Sequence, residues 1–148
     1  IRNLKVFDEI SRFQSAFEFE DYVDFGFGLG ASYLAASDLG LVGSTHVAHA
    51  LDATAKPIDL FEKYFGDRQF KRRFTPVDTR KACGVFSYSL NELSEPPAWM
   101  TSLEHIIIIE PSTSLWGRKL MARRQQLLEQ GYHMWAPCTH EKACPLLT

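Results

Sequence analysis

The segment His105-Ile106-Ile107-Ile108-Ile109-Glu110 limits the folds open to this chain more than any other. Four β-branched residues in a row favour an extended backbone. The run offers no polar face to water, so it reads as a strand buried on both sides, as in a parallel sheet covered by helices. The rest of the chain alternates strand-like and helix-like patterns, which argues for an α/β fold with a mostly parallel sheet.

The elements can be placed in order. Residues 1–20 read as an amphipathic helix, with Leu4, Val6, Phe7, Ile10, Phe13 and Phe17 at helical spacing. Tyr22 to Phe25 is a first strand, followed by the glycine turn Gly26-Phe27-Gly28-Leu29-Gly30 and a helix from Ala31 to about Leu39. Thr45 to Leu51 is a second strand, closed by Asp52. Pro57 suits the first turn of a helix whose apolar stripe is Ile58, Phe61, Tyr64 and Phe65. A short third strand is expected within 70–78, a fourth over Ala82 to Tyr88, and the isoleucine run is the fifth. The last helix spans about Leu115 to Gln130 and stops at Gly131, a good residue for ending a helix.

With 148 residues, 45% of them hydrophobic, the chain can bury one compact core. Its 16 basic and 18 acidic residues leave a net charge of −2, so it carries no global basic field. Basic residues still cluster locally, as Arg68, Lys71, Arg72 and Arg73 and as Arg118, Lys119, Arg123 and Arg124. Three unevenly spaced cysteines argue against a secreted disulfide framework and for a reducing compartment. No apolar run approaches the length of a membrane span, so no membrane partner is expected.

The glycine turn carries the first chemical signal. Glycines between a strand and a helix tolerate positive φ and admit a ligand close to the backbone, while the helix N-terminus favours negative charge. Asp52 lies 22 residues past Gly30, at the end of the next strand, where a carboxylate can accept both ribose hydroxyl protons. The bland alternative is a tight turn that only packs helix on strand. The G-x-G-x-G spacing, with Asp24 two residues ahead of the first glycine, resembles S-adenosylmethionine methyltransferases more than dinucleotide dehydrogenases.

The second signal is the tail, Ala136-Pro137-Cys138-Thr139-His140-Glu141-Lys142-Ala143-Cys144-Pro145-Leu146. Cys138 and Cys144, with His140 between them, offer ligands suited to zinc or to an iron–sulfur cluster. Zinc would take Cys138, His140 and Cys144, with His133 as a fourth; a cluster would take the two thiolates and find two more elsewhere. The alternative is a loop with two unrelated cysteines. Cys83, inside the fourth strand, reads as a small core residue.

This tail, together with Glu110-Pro111, a helix bearing Gly117 and Arg123, and Ser87-Tyr88-Ser89-Leu90-Asn91-Glu92-Leu93, resembles the methyltransferase-like proteins of the mitochondrial small ribosomal subunit and their bacterial relatives. The resemblance covers roughly residues 20–148. It departs from the family at Ser112 and Ser114, where glycine and proline are usual, and at Thr139, which replaces a proline. It implies a Rossmann-like methyltransferase fold with strand order 3-2-1-4-5, incomplete at the C-terminus. In domain terms, 1–20 would be an N-terminal helix, 21–135 the methyltransferase-like domain and 136–148 the start of a metal-binding loop.

The resemblance further implies a mitochondrial matrix protein (or, for a bacterial relative, a cytoplasmic one) that binds small-subunit ribosomal RNA, ribosomal proteins or other assembly factors. Asp24, Gly26, Gly28, Gly30 and Asp52 would hold S-adenosylmethionine, with Asp78 reaching the adenine. Cys138 and Cys144 would match the first two of four cysteines holding a four-iron cluster. Two other functions stay open, an active RNA methyltransferase and a zinc-stabilised binding module with an empty pocket. No established catalytic signature is present. Tyr88 could stack on a base and Asn91 could hydrogen-bond one, although strand-end packing and turn capping explain them as well. Arg118, Lys119, Arg123 and Arg124 would contact RNA phosphates, against the plainer reading of a solvated helix face.

Overall fold

A computed structural model describes residues 2–12, 17–66, 70–72, 81–138 and 140–145. The chain forms two compact units, Ile1–Ile109 and Glu110–Thr148. In the first, β1 (Asp21–Phe25), β2 (Val47–Leu51), β3 (Ala82–Ser87) and β4 (His105–Ile109) pair in parallel in the order β2-β1-β3-β4. The helices of this unit are α1 (Arg2–Ser11), α2 (Ala31–Asp38) and α3 (Lys56–Phe65). The architecture is the expected Rossmann-like α/β one.

Strand alternation sorts the side chains into two layers. Tyr22, Cys83, Val85, Ile107 and Ile109 point to one face and meet Phe7 of α1 and Ala35 and Ala36 of α2. Alanines and the buried Ser32 let α2 lie close to the sheet. On α3, Ile58 and Phe61 pack with Phe27 and Ala50, and burial of such side chains stabilises the fold by about 1.5–3 kcal/mol each. On the opposite face Phe25, Phe86 and Trp99 form a ring cluster with centroids 5.5–5.9 Å apart. At Gly84 a Cβ would run into Leu103 Cδ1, so that side chain would have to shift.

Several expectations are corrected. The N-terminal helix ends at Ser11 rather than near residue 20. Beyond residues 13–16, which lie outside the described ones, Phe17 is buried in the core and the backbone is already pairing: Glu20 N–H donates to Lys81 O, and Val47 N–H to Glu20 O. The second strand begins two residues late, since Gly43 to His46 close a turn with mutual hydrogen bonds. Of the expected third strand, Lys71 makes a parallel bridge with His49 at the β2 edge, while 73–80 lie outside the described residues. The described sheet therefore has four strands rather than five.

The second unit contains α4 (Ser114–Glu129), capped by Thr113, whose side chain accepts the Trp116 N–H. Gly131, at φ 92°, lets the chain turn back so that Tyr132 N–H reaches the Leu127 carbonyl. Among the described residues, no helix is long and apolar enough to cross a membrane.

Candidate functional site

Strand order decides where a ligand can sit. From β1 the chain moves to β2 on one side, then returns to place β3 on the other. The connections therefore diverge at the C-terminal ends of β1 and β3, the topological switch point at which open α/β sheets bind ligands. A cleft of about 560 Å³ lies there, lined by Gly26 to Leu29 after β1 and by Ser87 and Tyr88 at the end of β3. One face of α2 and residues Arg2 to Leu4 of α1 form its remaining walls. That volume suits a small-molecule ligand. A larger hollow, about 640 Å³, lies at the strands' N-terminal ends among Glu18, Glu20, Lys81 and Glu104. It contains none of the residues expected to bind a cofactor, whereas Gly26 and Gly28 line the switch-point cleft and Asp24, Gly30 and Asp52 lie outside its lining.

The glycine turn is built as expected. Gly26, Gly28 and Gly30 hold φ of 74°, 52° and 73°. At Gly30 a Cβ would lie 2.5 Å from the Phe61 ring, so the turn can seat on α3 only without one. At Gly28 the same direction is open, with the nearest neighbour 3.9 Å away. Gly26 and Phe27 N–H groups both donate to the Leu51 carbonyl. Asp52 Oδ2 accepts the Gly28 N–H at 2.8 Å and Oδ1 accepts the Thr54 N–H at 3.3 Å. Asp52 thus fastens the turn to the end of β2, and its remaining lone pairs stay available to hydroxyl donors.

Asp24 is 1% exposed, and neither carboxylate oxygen has a hydrogen-bond partner among the described residues. Burial pushes its carboxyl up to about 8; the Tyr33 backbone N–H opposes this without reaching hydrogen-bonding geometry, and the Asp52 charge adds to it. Ser89, also buried beside Gly26, has an unpaired Oγ.

Tyr88 departs from the expected strand end. It is the only described non-glycine residue at positive φ, 59°, and its hydroxyl accepts from Arg2 Nη1 at 2.7 Å. Non-glycine residues held this way tend to occur at functional positions. Asn91 is half-buried in the 3-10 turn Leu90–Glu92, and Asp78 lies outside the described residues. What sequence reading missed is α1's part in the site. Asn3 Nδ2 donates to Ser32 Oγ at 3.1 Å, and Asn3 Oδ1 accepts from Ser87 Oγ at 3.2 Å. A partner 84 positions away leaves no local signal.

The basic clusters divide into paired, exposed and buried members. Arg72 is paired with Asp59 and Glu62 at 2.7 and 2.6 Å; Arg68 and Arg73 lie outside the described residues. On α4, Arg118 and Lys119 are exposed, Lys119 Nζ sits 4.2 Å from the Trp116 ring centre, and Arg123 is half-buried. Arg124 corrects the expectation of a phosphate contact. It is 4% exposed, and its guanidinium donates to the His140 and Lys142 carbonyls at 2.5 and 3.2 Å. It therefore ties the cysteine loop to the helix.

Within that loop Cys138 is half-buried, Cys144 buried and His140 exposed; both thiols are free. His133 faces Glu141, Nδ1 to Oε1 2.8 Å, which holds the Glu141 carboxyl below its usual range. Among the described residues no three His, Cys, Asp or Glu side chains converge on a point where a metal ion could sit. As placed, Cys138, His140, Cys144 and His133 do not fit a closed zinc site.

Fold and cleft together define a Rossmann-like α/β protein with a ligand-sized opening at the switch point of a parallel sheet. Many chemistries share that class. The sequence narrows it: a family model described as mitochondrial small ribosomal subunit Rsm22 matches residues 3–148, and the chain belongs to that family. The protein is accordingly mitochondrial and functions with the small ribosomal subunit. No curated protein matches the chain.

Proposed function

We propose that this protein acts in assembly of the mitochondrial small ribosomal subunit, binding ribosomal RNA through a methyltransferase-like domain that holds S-adenosylmethionine. One observation carries the cofactor reading: the switch-point cleft is floored by a positive-φ glycine turn with Asp52 fastened to it and a buried, unpaired Asp24 before it. The Asp52 carboxylate, joined by Asp24 when that group ionises, disfavours the pyrophosphate of a dinucleotide and favours a sulfonium or ammonium group. Gly28 presents its open side to the ligand, and Asp52 accepts from the ribose hydroxyls. Arg118, Lys119 and Arg123 supply the RNA contacts.

Calorimetric titration with S-adenosylmethionine tests this. Wild-type protein should bind one equivalent, and Asp52→Asn should weaken binding about tenfold, or ~1.4 kcal/mol. Asparagine cannot serve the Gly28 N–H and a ribose with two acceptor oxygens. No binding, or equal binding by Asp52→Asn, would overturn the pocket reading. A second reading, methyl transfer to small-subunit RNA, is favoured by Tyr88, whose strained backbone places it beside the cleft. Transfer of labelled methyl groups to that RNA separates it from cofactor binding alone.

The tail's resemblance supports Cys138 and Cys144 as two of the four thiolates of a four-iron cluster. Full-length protein purified without oxygen should then contain iron and acid-labile sulfide, absent from the Cys138→Ser/Cys144→Ser variant. Zinc alone would favour the binding-module reading instead.

A further inference from the structure

We infer that Arg2 and Asn3, at the start of α1, form the carboxylate-recognising end of the cleft, so that it selects a ligand bearing a free amino-acid group. This rests on the cofactor reading above. Among the described residues lining the cleft, Arg2 is the one cation. It donates to Tyr88 Oη, and its other N–H groups have no acceptor among the described residues. A guanidinium is a planar fork of five donors, matched to a carboxylate. Its place is fixed by its neighbour. Asn3 bonds Ser32 in the first turn of α2 and Ser87 at the end of β3, so it joins the two walls that flank the glycine turn.

The charges are laid out in two parts. The mouth, where Arg2 and the α2 N-terminus meet, favours an anion. The glycine turn, with Asp52 bound to the Gly28 N–H and Asp38 the one carboxylate among the described lining residues, favours a cation. An α-amino acid with a positively charged substituent satisfies both at once. A ligand that keeps the positive group and lacks the carboxylate would satisfy only the second. Arg2 could act differently, by bracing Tyr88, and the test must separate the two roles.

Two probes do so: S-adenosylmethionine, and decarboxylated S-adenosylmethionine, which keeps the sulfonium and the amine and lacks only the carboxylate. Wild-type protein should bind the first more tightly than the second. Arg2→Gln should weaken S-adenosylmethionine about tenfold and leave decarboxylated S-adenosylmethionine unchanged, which also shows that the variant's cleft is folded. Equal losses for both probes would mean that Arg2 only shapes the cleft, and no loss for either would mean that it does not touch the ligand; each overturns the inference. If wild-type protein binds both probes equally, the inference falls while the cofactor reading stands. If it binds neither, both fall.

Discussion

Replacing Gly30 with valine is expected to destabilise the fold by about 2–5 kcal/mol, from left-handed strain of about 1–2 kcal/mol and overpacking of about 1–3 kcal/mol. Gly30 holds φ 73°, and its missing Cβ would lie 2.5 Å from Phe61 Cδ2 and Cε2 and 2.9 Å from Phe27 Cζ. Phe61 has no room to retreat. It is 1% exposed and its ring touches those of Phe27, Tyr33, Phe65 and Phe70, with centroids 4.7–6.2 Å away. Against the 5–15 kcal/mol of a typical domain, such a loss is a large fraction of the whole.

Gly28→Ala is the control. Its φ of 52° brings strain of about 1 kcal/mol, but the added methyl enters open space. It should therefore fold nearly as well as wild type while blocking a ligand's approach to the turn. Urea unfolding midpoints check both variants. A Gly30→Val midpoint close to that of Gly28→Ala would refute the packing argument.

The contrast between these glycines was only half legible in the sequence. Local pattern announced the turn, because G-x-G-x-G between a strand run and an alanine-rich run has a mechanical reason to exist. It could not say which glycine faces a ring and which faces a ligand, since Phe61 lies 31 positions beyond Gly30. The same limit explains the N-terminal helix. Helical spacing runs on through Phe13 and Phe17, yet Phe17 is buried beside His105, ring centroids 4.5 Å apart, and residues 17–19 are not helical.

Arg123 and Arg124 illustrate it again. Adjacent helix positions point about 100° apart, so one cation can face outward while the next turns in. Which of them turns in depends on where the His140 and Lys142 carbonyls come to rest, and no periodicity in α4 encodes that. Tyr88 looked like the last residue of a strand because its composition suits one; its positive φ follows from tertiary surroundings. Asp52, by contrast, was placed correctly at the end of β2, where strand length and spacing alone determine the position.

Asp24→Asn is expected to be more stable than wild type at pH 8 and above, and no more stable at pH 4. In the folded protein burial raises the Asp24 carboxyl from its ordinary 3.8 to about 8. Below the lower value both folded and unfolded states hold the proton, and the group has no pH-linked effect. As pH rises from there, the unfolded chain releases its proton while the folded one keeps it, so wild-type stability falls until the folded carboxyl ionises near pH 8. At 1.36 kcal/mol per unit, the shift amounts to at most on the order of 5 kcal/mol. Asparagine has no proton to lose, so its stability lacks this slope, although burying its amide without partners costs about 1–3 kcal/mol at every pH. The two stability curves, from urea unfolding at a series of pH values, should therefore cross between pH 4 and 8. A difference independent of pH would show that the carboxyl titrates normally. The ligand reverses the sign of the argument. A sulfonium or ammonium group favours the ionised carboxylate, so affinity for S-adenosylmethionine should rise with pH toward 8 in wild type and stay flat in Asp24→Asn. A carboxylate that weakens the empty fold and strengthens the filled one gives the position a function that packing alone does not.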